Sequence, residues 1–460
     1  MDHYDLVIIG AGSGNTILDE RFESWRVAIV ERAEFGGTCL NRGCVPTKMF
    51  IRPADLVAEI RDGSRLGVDA SLGATRWRDI RDRIFGRIDP IVANGARYRR
   101  SQPHVDVYSG SCRFVGIRRL AVDTADGRRE ISGDQIVIAA GSRPTVPDIP
   151  GLDMVPSETS DTIMRIDEVP RRLVVLGGGF IASELAHVFD TLGSKVTIVT
   201  RGPMLLSHHD QEVAAAFTSA VAERFDVHLS ARVAEAAADG RGVALAIDDG
   251  RLVTGDMLLV ATGRAPNSDQ LDLAATEVST HDDGRIRTDD QLHTDAPGVW
   301  ALGDIRSTYM LKHVANHEAA VVRHNLLHPD DPISVAEDLV PHVVFSDPQV
   351  AAVGATEEEL RESGRPYLVG RRDYGSTAAG WALEDTASFC KVLVDRDSDL
   401  ILGAHVIGPN SSILVQLLVQ AMRFGQTAHQ LAHDPMYPHP ALTEVVEQAL
   451  MELEEPTSRS

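Results

Sequence analysis

Apolar residues in this chain fall in short, interrupted runs rather than in one long stretch. Tyr4-Asp5-Leu6-Val7-Ile8-Ile9 is nearly continuous in apolar character, which suits a strand covered on both faces within a parallel sheet. A helical stretch follows, then a second apolar run, Val27-Ala28-Ile29-Val30, which ends at Glu31. The same order returns later: Leu173-Val174-Val175-Leu176 leads into a helical run through Leu192 and on to Val196-Thr197-Ile198-Val199. Two further strand–turn stretches, Ile136 to Gly141 and Leu258 to Arg264, are each followed by a proline, Pro144 and Pro266, as suits a crossing between domains. Val299-Trp300-Ala301-Leu302 is another strand and closes on Gly303-Asp304. Beyond about Asp338 the pattern changes. Strand-like Val343-Val344-Phe345 and Lys391-Val392-Leu393-Val394 precede a long helical run from Ser411 to Phe424.

Glycine separates strand from helix in both repeated units. Gly10-Ala11-Gly12-Ser13-Gly14-Asn15 fills the first turn, with Glu31 about twenty residues on. Glycines at this spacing let the backbone approach a pyrophosphate at a helix N-terminus, and the Glu31 carboxylate can accept both hydroxyls of a ribose. Asn15 stands where such a turn prefers glycine or alanine. The second unit carries the complete pattern, Gly177-Gly178-Gly179-Phe180-Ile181-Ala182, and its second strand ends in Thr200-Arg201 without an acid. A carboxylate there would repel a 2′-phosphate, whereas Arg201 can pair with one, so the second turn is expected to take NADPH over NADH. The plainer alternative for Arg201 is a solvated surface charge. The expected fold class is α/β: two Rossmann-like dinucleotide-binding domains and then a C-terminal α+β domain without a glycine turn.

The stretch Gly36-Gly37-Thr38-Cys39-Leu40-Asn41-Arg42-Gly43-Cys44-Val45-Pro46-Thr47-Lys48 adds chemistry. Pro46 suits the first turn of a helix, which puts Cys44 just before the helix N-terminus. Backbone N–H groups there stabilise a thiolate and lower a cysteine's pKa. Cys39 and Cys44 could form a redox-active disulfide, one sulfur facing an electron donor and the other a substrate. Two unrelated buried thiols, or half of a zinc site, are the alternatives. Zinc needs two more ligands at metal spacing, and the only other cysteines are the isolated Cys112 and Cys390.

Composition limits the partners. At ~150 residues per domain, 460 residues suggest about three domains. The net charge of −22 disfavours nucleic acid and anionic membranes. Four cysteines in so long a chain form no structural disulfide framework. No apolar run is long enough to span a membrane, and the N-terminus enters a strand without a basic or cleavable hydrophobic segment, so a cytoplasmic protein is expected. Lysine occurs only at positions 48, 195, 312 and 391, which makes Lys48 beside the cysteines more noticeable.

With the cysteine stretch, two glycine turns and the Gly303-Asp304 strand together, the chain resembles the FAD-dependent pyridine nucleotide–disulfide oxidoreductases of class I, the glutathione reductase-like group. The resemblance runs from Tyr4 to about Leu450. It implies FAD at Gly10, Gly12, Gly14 and Glu31, with Asp304 on the ribitol, and the nicotinamide nucleotide at Gly177, Gly179, Ile181 and Ala182. Thr38, Gly141, Ser142 and Gly263 are further expected cofactor contacts. Lys48 would approach the flavin ring with Glu184 as its partner, and Phe180 would gate the nicotinamide pocket. Lys312 would open a helix whose N–H groups face the flavin. Cys44 would be the thiol nearest the flavin, and Cys39 the thiol that exchanges with substrate.

Thiol release needs an acid–base group that titrates near neutrality, and a carboxylate can orient an imidazole for it. His439, between Pro438 and Pro440 and five positions before Glu444, fits the His–Glu pair that this family lends to the partner subunit's site. A homodimer with shared active sites is therefore implied. The implied domains are residues 1–148 with 268–337 for FAD, 149–267 for NADPH, and 338–460 for dimerisation.

Within the family, a tail from Met451 to Ser460 without cysteine is unlike mercuric reductases and the large thioredoxin reductases. Thr200 stands where NAD-using dihydrolipoamide dehydrogenases carry an acid. Ser207 and Glu20 stand where glutathione reductases carry arginines. The segments Gly12-Ser13-Gly14-Asn15, Leu18-Asp19-Glu20-Arg21, Phe85-Gly86-Arg87-Ile88-Asp89-Pro90 and Lys312 to Glu318 look most like the members that reduce mycothione, the disulfide of a cysteinyl sugar–inositol thiol. The expected substrate is such a low-molecular-weight disulfide. The rivals are dihydrolipoamide dehydrogenase or glutathione reductase-like activity and, from another class, a flavin-binding electron carrier or redox sensor.

Overall fold

The computed structural model describes residues 1–456. Asp2–Ile9 lies at the centre of the first sheet, parallel to Val27–Glu31 on one side and Gly127–Ile138 on the other. Val105–Gly116 and Val299–Ala301 extend it in parallel, and Arg119–Thr124 bridges the long strands antiparallel. The second sheet is wholly parallel, in the order Asp226–His228, Lys195–Val199, Arg172–Leu176, Met257–Val260, Ser157–Thr159. Leu173 and Val175 on one face of Arg172–Leu176 and Val174 and Leu176 on the other are all buried, as expected of a strand covered on both faces. Ser142–Pro144 and Arg264–Pro266, the two proline-marked stretches, pair antiparallel between the two sheets. From His342 onward the chain forms a six-stranded antiparallel sheet packed against helices Ser411–Arg423, Ala428–His433 and Thr443–Met451.

Two local expectations need correction. The stretch after the first glycine turn is not an α-helix but two short 3-10 turns, Gly14–Ile17 and Glu20–Phe22. Asn15, Thr16, Ile17 and Asp19 are all poor helix formers, and Asp19 uses its side chain to cap its own turn through the Arg21 N–H. Cys44 is not before its helix but is the first residue of helix Cys44–Asp62, with Gly43 as N-cap. Pro46 sits inside the first turn, where the missing N–H is one of the four that have no intrahelical acceptor anyway.

One apolar core runs through all three parts of the molecule. Phe50, Ile51 and Ala54 of the cysteine helix pack with Phe85 and Ile88 of helix Trp77–Ser101, Leu185 and Phe189 of helix Phe180–Thr191, and Val344 and Phe389 of the C-terminal part. Burying side chains of this size contributes ~1.5–3 kcal/mol each, so the helix that carries the cysteines is held from three directions.

A polar tie lies deeper. Lys391, 1% exposed, donates to both oxygens of the fully buried Asp210 at 3.0 Å and to Glu357 at 2.7 Å. Asp210 is the N-cap of helix Gln211–Arg224 in the second unit, so this cluster joins that unit to the C-terminal sheet. Removing the only lysine from buried carboxylates typically costs ~3–5 kcal/mol. Lys391→Met should therefore lower the unfolding free energy of the holoprotein by about that amount in urea titration; a loss under ~1 kcal/mol would mean that the cluster is not a structural tie.

Candidate active site

The cysteine stretch is folded against the first glycine turn. The Gly36 N–H donates to the Ala11 carbonyl at 2.9 Å, and Gly37 adopts a φ of +62°. A Cβ on Gly37 would stand 2.7 Å from the Gly12 Cα, so the two glycine stretches touch backbone to backbone. Gly10 is equally confined, since a Cβ there would collide with the Ala139 carbonyl. Cys39 lies in the short helix Gly37–Asn41 and Cys44 opens the next. Both are free thiols in this structure.

Their acidities are split. The Cys39 S–H bonds to the Cys44 sulfur, and this contact, helped by the Lys48 charge, lowers the Cys44 pKa to about 7 against the opposing effect of burial. The same bond, with burial, pushes Cys39 well above the ordinary thiol range, although Lys312 pulls the other way. Cys44 is therefore the thiolate of the reduced pair and Cys39 its proton donor. Cys112 and Cys390 are buried thiols that burial raises to about 12, so neither competes as a nucleophile at neutral pH.

Around the cysteines opens a cavity of about 880 Å³. Gly10, Gly12, Glu31, Thr38 and Lys48 line it from the first unit, together with Gly141, Ser142, Asp304 and Lys312. Phe180, Ile181 and Glu184 reach it from the second. Lys48 Nζ donates to both oxygens of Glu184 at 2.8 Å. Burial pushes the Glu184 pKa up while Lys48 pulls it down. Glu31 accepts from the Ala11 N–H at 2.6 Å and the Ala33 N–H at 2.8 Å, which aims its carboxylate back at the glycine turn. Ser142 Oγ donates to Asp304 at 2.6 Å, and Lys312 Nζ donates to Ser13 Oγ at 2.7 Å. Burial holds the Lys312 pKa down, with Cys39, Cys44 and Asp304 opposing it.

Gly14, Gly177, Gly179, Ala182, Arg201 and Gly263 do not line this cavity. The second turn forms the N-terminus of helix Phe180–Thr191, with Gly179 as N-cap. Arg201 is exposed and has no side-chain partner among the described residues. His439 and Glu444 also lie outside the cavity. His439 Nδ1 and Glu444 Oε1 are 2.7 Å apart, the histidine side chain is 70% exposed, and this bond lowers the Glu444 pKa.

Sequence reading missed Arg264, Asp161 and Ser13. Arg264 donates to Ser142 Oγ at 2.8 Å and lies 3.5 Å from Asp161, which also faces Arg42 at 3.8 Å. No local spacing marks these residues, which lie far apart in the chain.

Residues 4–319 match the family described as pyridine nucleotide-disulphide oxidoreductase, and residues 340–450 match the dimerisation domain of the same family. The chain belongs to this family. Mycothione reductase of Mycobacterium tuberculosis is 48% identical over 460 residues, 98% of this chain and 100% of the relative. Dihydrolipoyl dehydrogenase of Haloferax volcanii is 31% identical over 97% of this chain and 95% of its own length. Among solved structures, the HOCl-induced flavoprotein disulfide reductase RclA from Escherichia coli matches with a TM-score of 0.86 at 28% identity, over 97% of this chain and 99% of that one. As a member of this family, the protein is an FAD- and NAD(P)H-dependent oxidoreductase acting on sulfur groups. No helix among the described residues is long and apolar enough to cross a membrane.

The residues present fit a flavin nucleotide. Gly10, Gly12, Gly36 and Gly37 bring backbone without side chains to the cavity wall, Glu31 and Asp304 offer acceptors to sugar and ribitol hydroxyls, and two of the chain's four lysines face the same space. Iodoacetamide labelling of the reduced protein tests the acidity split. Cys44 should react with a midpoint near pH 7, and Cys39→Ala, which removes the strongest stabilising contact, should shift that midpoint upward. An unmoved midpoint would assign the low pKa to Lys48 and the helix end instead.

Proposed function

We propose that this protein uses NADPH to reduce a low-molecular-weight disulfide, mycothione, to two thiols. The observation that carries this reading is the cysteine pair on two adjoining helices, Cys39 in Gly37–Asn41 and Cys44 at the start of Cys44–Asp62, set in one cavity reached by both dinucleotide units. Support for the substrate comes from the likeness to mycothione reductase along the whole chain. Residues 1–148 and 268–337 would bind FAD, 149–267 NADPH, and 338–460 would form the dimer.

FAD, when bound, carries the electron pair from the nicotinamide to the cysteine disulfide. The chain's own residues do the rest. Lys48 and Glu184 hold the cysteine helix against the second unit, and Lys48 keeps positive charge beside the Cys44 thiolate. Cys39 holds its proton too tightly to attack unaided. The base would be His439 of the partner subunit, oriented by its own Glu444. It takes the Cys39 proton, and the Cys39 sulfur bonds to one sulfur of the substrate. The substrate S–S bond breaks, and the first thiol leaves with the proton returned by the imidazolium. Cys44 then attacks Cys39, expelling the second thiolate, which takes a proton from water, and the Cys39–Cys44 disulfide is restored. The balance is one NADPH and one proton consumed for two thiols formed.

Steady-state turnover of the holoenzyme against mycothione, glutathione disulfide and lipoamide, with each nucleotide, tests the assignment. NADPH with mycothione should give the highest kcat/KM; NADH with lipoamide as the preferred pair would replace the reading with a dihydrolipoamide dehydrogenase. A charge-assisted contact is worth ~1.5–3 kcal/mol, so Arg201→Ala should raise the KM for NADPH roughly ten- to a hundredfold and leave NADH nearly unaffected. Equal losses for both nucleotides would remove Arg201 from phosphate recognition.

A further inference from the structure

The first glycine turn lacks the helix that normally follows one. Residues 13–22 contain only two 3-10 turns, so the aligned peptide dipoles that would place about half a positive charge at the turn are missing. A guanidinium is bonded instead to the segment that follows the turn. Arg99, 7% exposed, comes from the last turn of helix Trp77–Ser101 and reaches the residue directly after Gly14. Its Nε donates to Asn15 Oδ1 at 2.7 Å, and its Nη2 donates to the carbonyls of Asn15 at 2.9 Å and Leu18 at 3.1 Å. The remaining Nη1 donates to Gln102 Oε1 at 2.9 Å. Arg323 supports the same segment from the other side, with Nη1 donating to the Thr16 carbonyl at 3.4 Å and lying 3.7 Å from Asp19.

Every acceptor of Arg99 is neutral, and no carboxylate pairs with it among the described residues. Burial holds its pKa below the ordinary arginine range. The negative end of its own helix offsets part of the charge, yet a buried guanidinium without a counter-ion remains costly. Asn15 links the two facts. It occupies the turn position that prefers glycine or alanine for close helix packing, and here its side chain and carbonyl both face the arginine.

We infer that Arg99 is a positioning residue for FAD: its charge, which no carboxylate neutralises, replaces the missing helix dipole behind the first glycine turn, and the FAD diphosphate is its counter-ion. The inference rests on the reading that the first turn holds FAD. Asn15 serves as the neutral link that leaves this charge available to the cofactor.

The test uses full-length apoprotein and titrates FAD by flavin fluorescence, with the apoprotein's Tm measured in parallel. Arg99→Gln should weaken FAD roughly tenfold or more, while Arg99→Lys, which keeps the charge and loses the fan of bonds, should retain most of the affinity. Equal weakening in both variants, or none in either, would reduce Arg99 to a backbone strut and overturn the inference. Asn15→Asp supplies a carboxylate in the same geometry, so its apoprotein should be no less heat-stable while FAD binds more weakly. Unchanged or tighter FAD binding in that variant would also overturn the inference, and this arm decides even if Arg99→Gln fails to fold. Should the variants weaken NADPH binding and spare FAD, the assignment of FAD to the first turn fails instead.

Discussion

One buried carboxylate joins all three parts of this molecule. Glu184 lies on the helix of the second glycine turn, accepts Lys48 Nζ from the cysteine helix on both oxygens, and accepts the Phe345 N–H from the C-terminal part at 2.9 Å. At 4% exposure, burial raises the Glu184 pKa, and these donors are what favour its charged form against that effect. The pair thereby sets how the cysteine helix stands against the second unit, and it does so at the wall of the cavity that Phe180 and Ile181 share with the thiols. Loosening it would disturb the spacing between the two dinucleotide units and the charge that Lys48 places beside Cys44 together.

The same economy governs the cysteines. A single S–H to sulfur bond lowers one pKa and raises the other, so the reduced pair holds one proton and one negative charge in defined places. That arrangement leaves the negative charge on Cys44 once the pair is reduced, and it leaves Cys39 in need of a base. No imidazole of the His439–Glu444 pair is found in the same chain's cavity. The exposed position of His439, outside its own chain's cavity, is what its proposed role in a second subunit's site needs.

Where backbone geometry is encoded by neighbours, the sequence was readable. The glycine turns, the strands around them and the cysteine stretch depend on residues a few positions apart, and the His439–Glu444 pair spans only five. One expectation that failed was the helix after the first glycine turn, where residues 13–22 form 3-10 turns bonded to Arg99, 84 positions beyond Asn15; the other was the helix start at Cys44, off by one residue. Arg264 and Ser142 meet across 122 positions, and Ser142 and Asp304 across 162, so no local pattern could announce that the three form one network. The pairing of Lys48 with Glu184, 136 positions apart, is legible only through family resemblance.

The shared site is the central claim, and mixed dimers test it most directly. A purified heterodimer of one Cys39→Ser chain and one His439→Ala chain has, under two-fold symmetry, one site with both defects and one with neither. Each homodimer should be nearly inactive towards disulfides, since losing a positioned acid–base group typically costs ~10²–10⁴-fold. The heterodimer should recover about half of the unmodified activity. If it stays inactive with full FAD content and normal assembly, each site is built within one chain, and the proposed role of the partner's His439 is wrong.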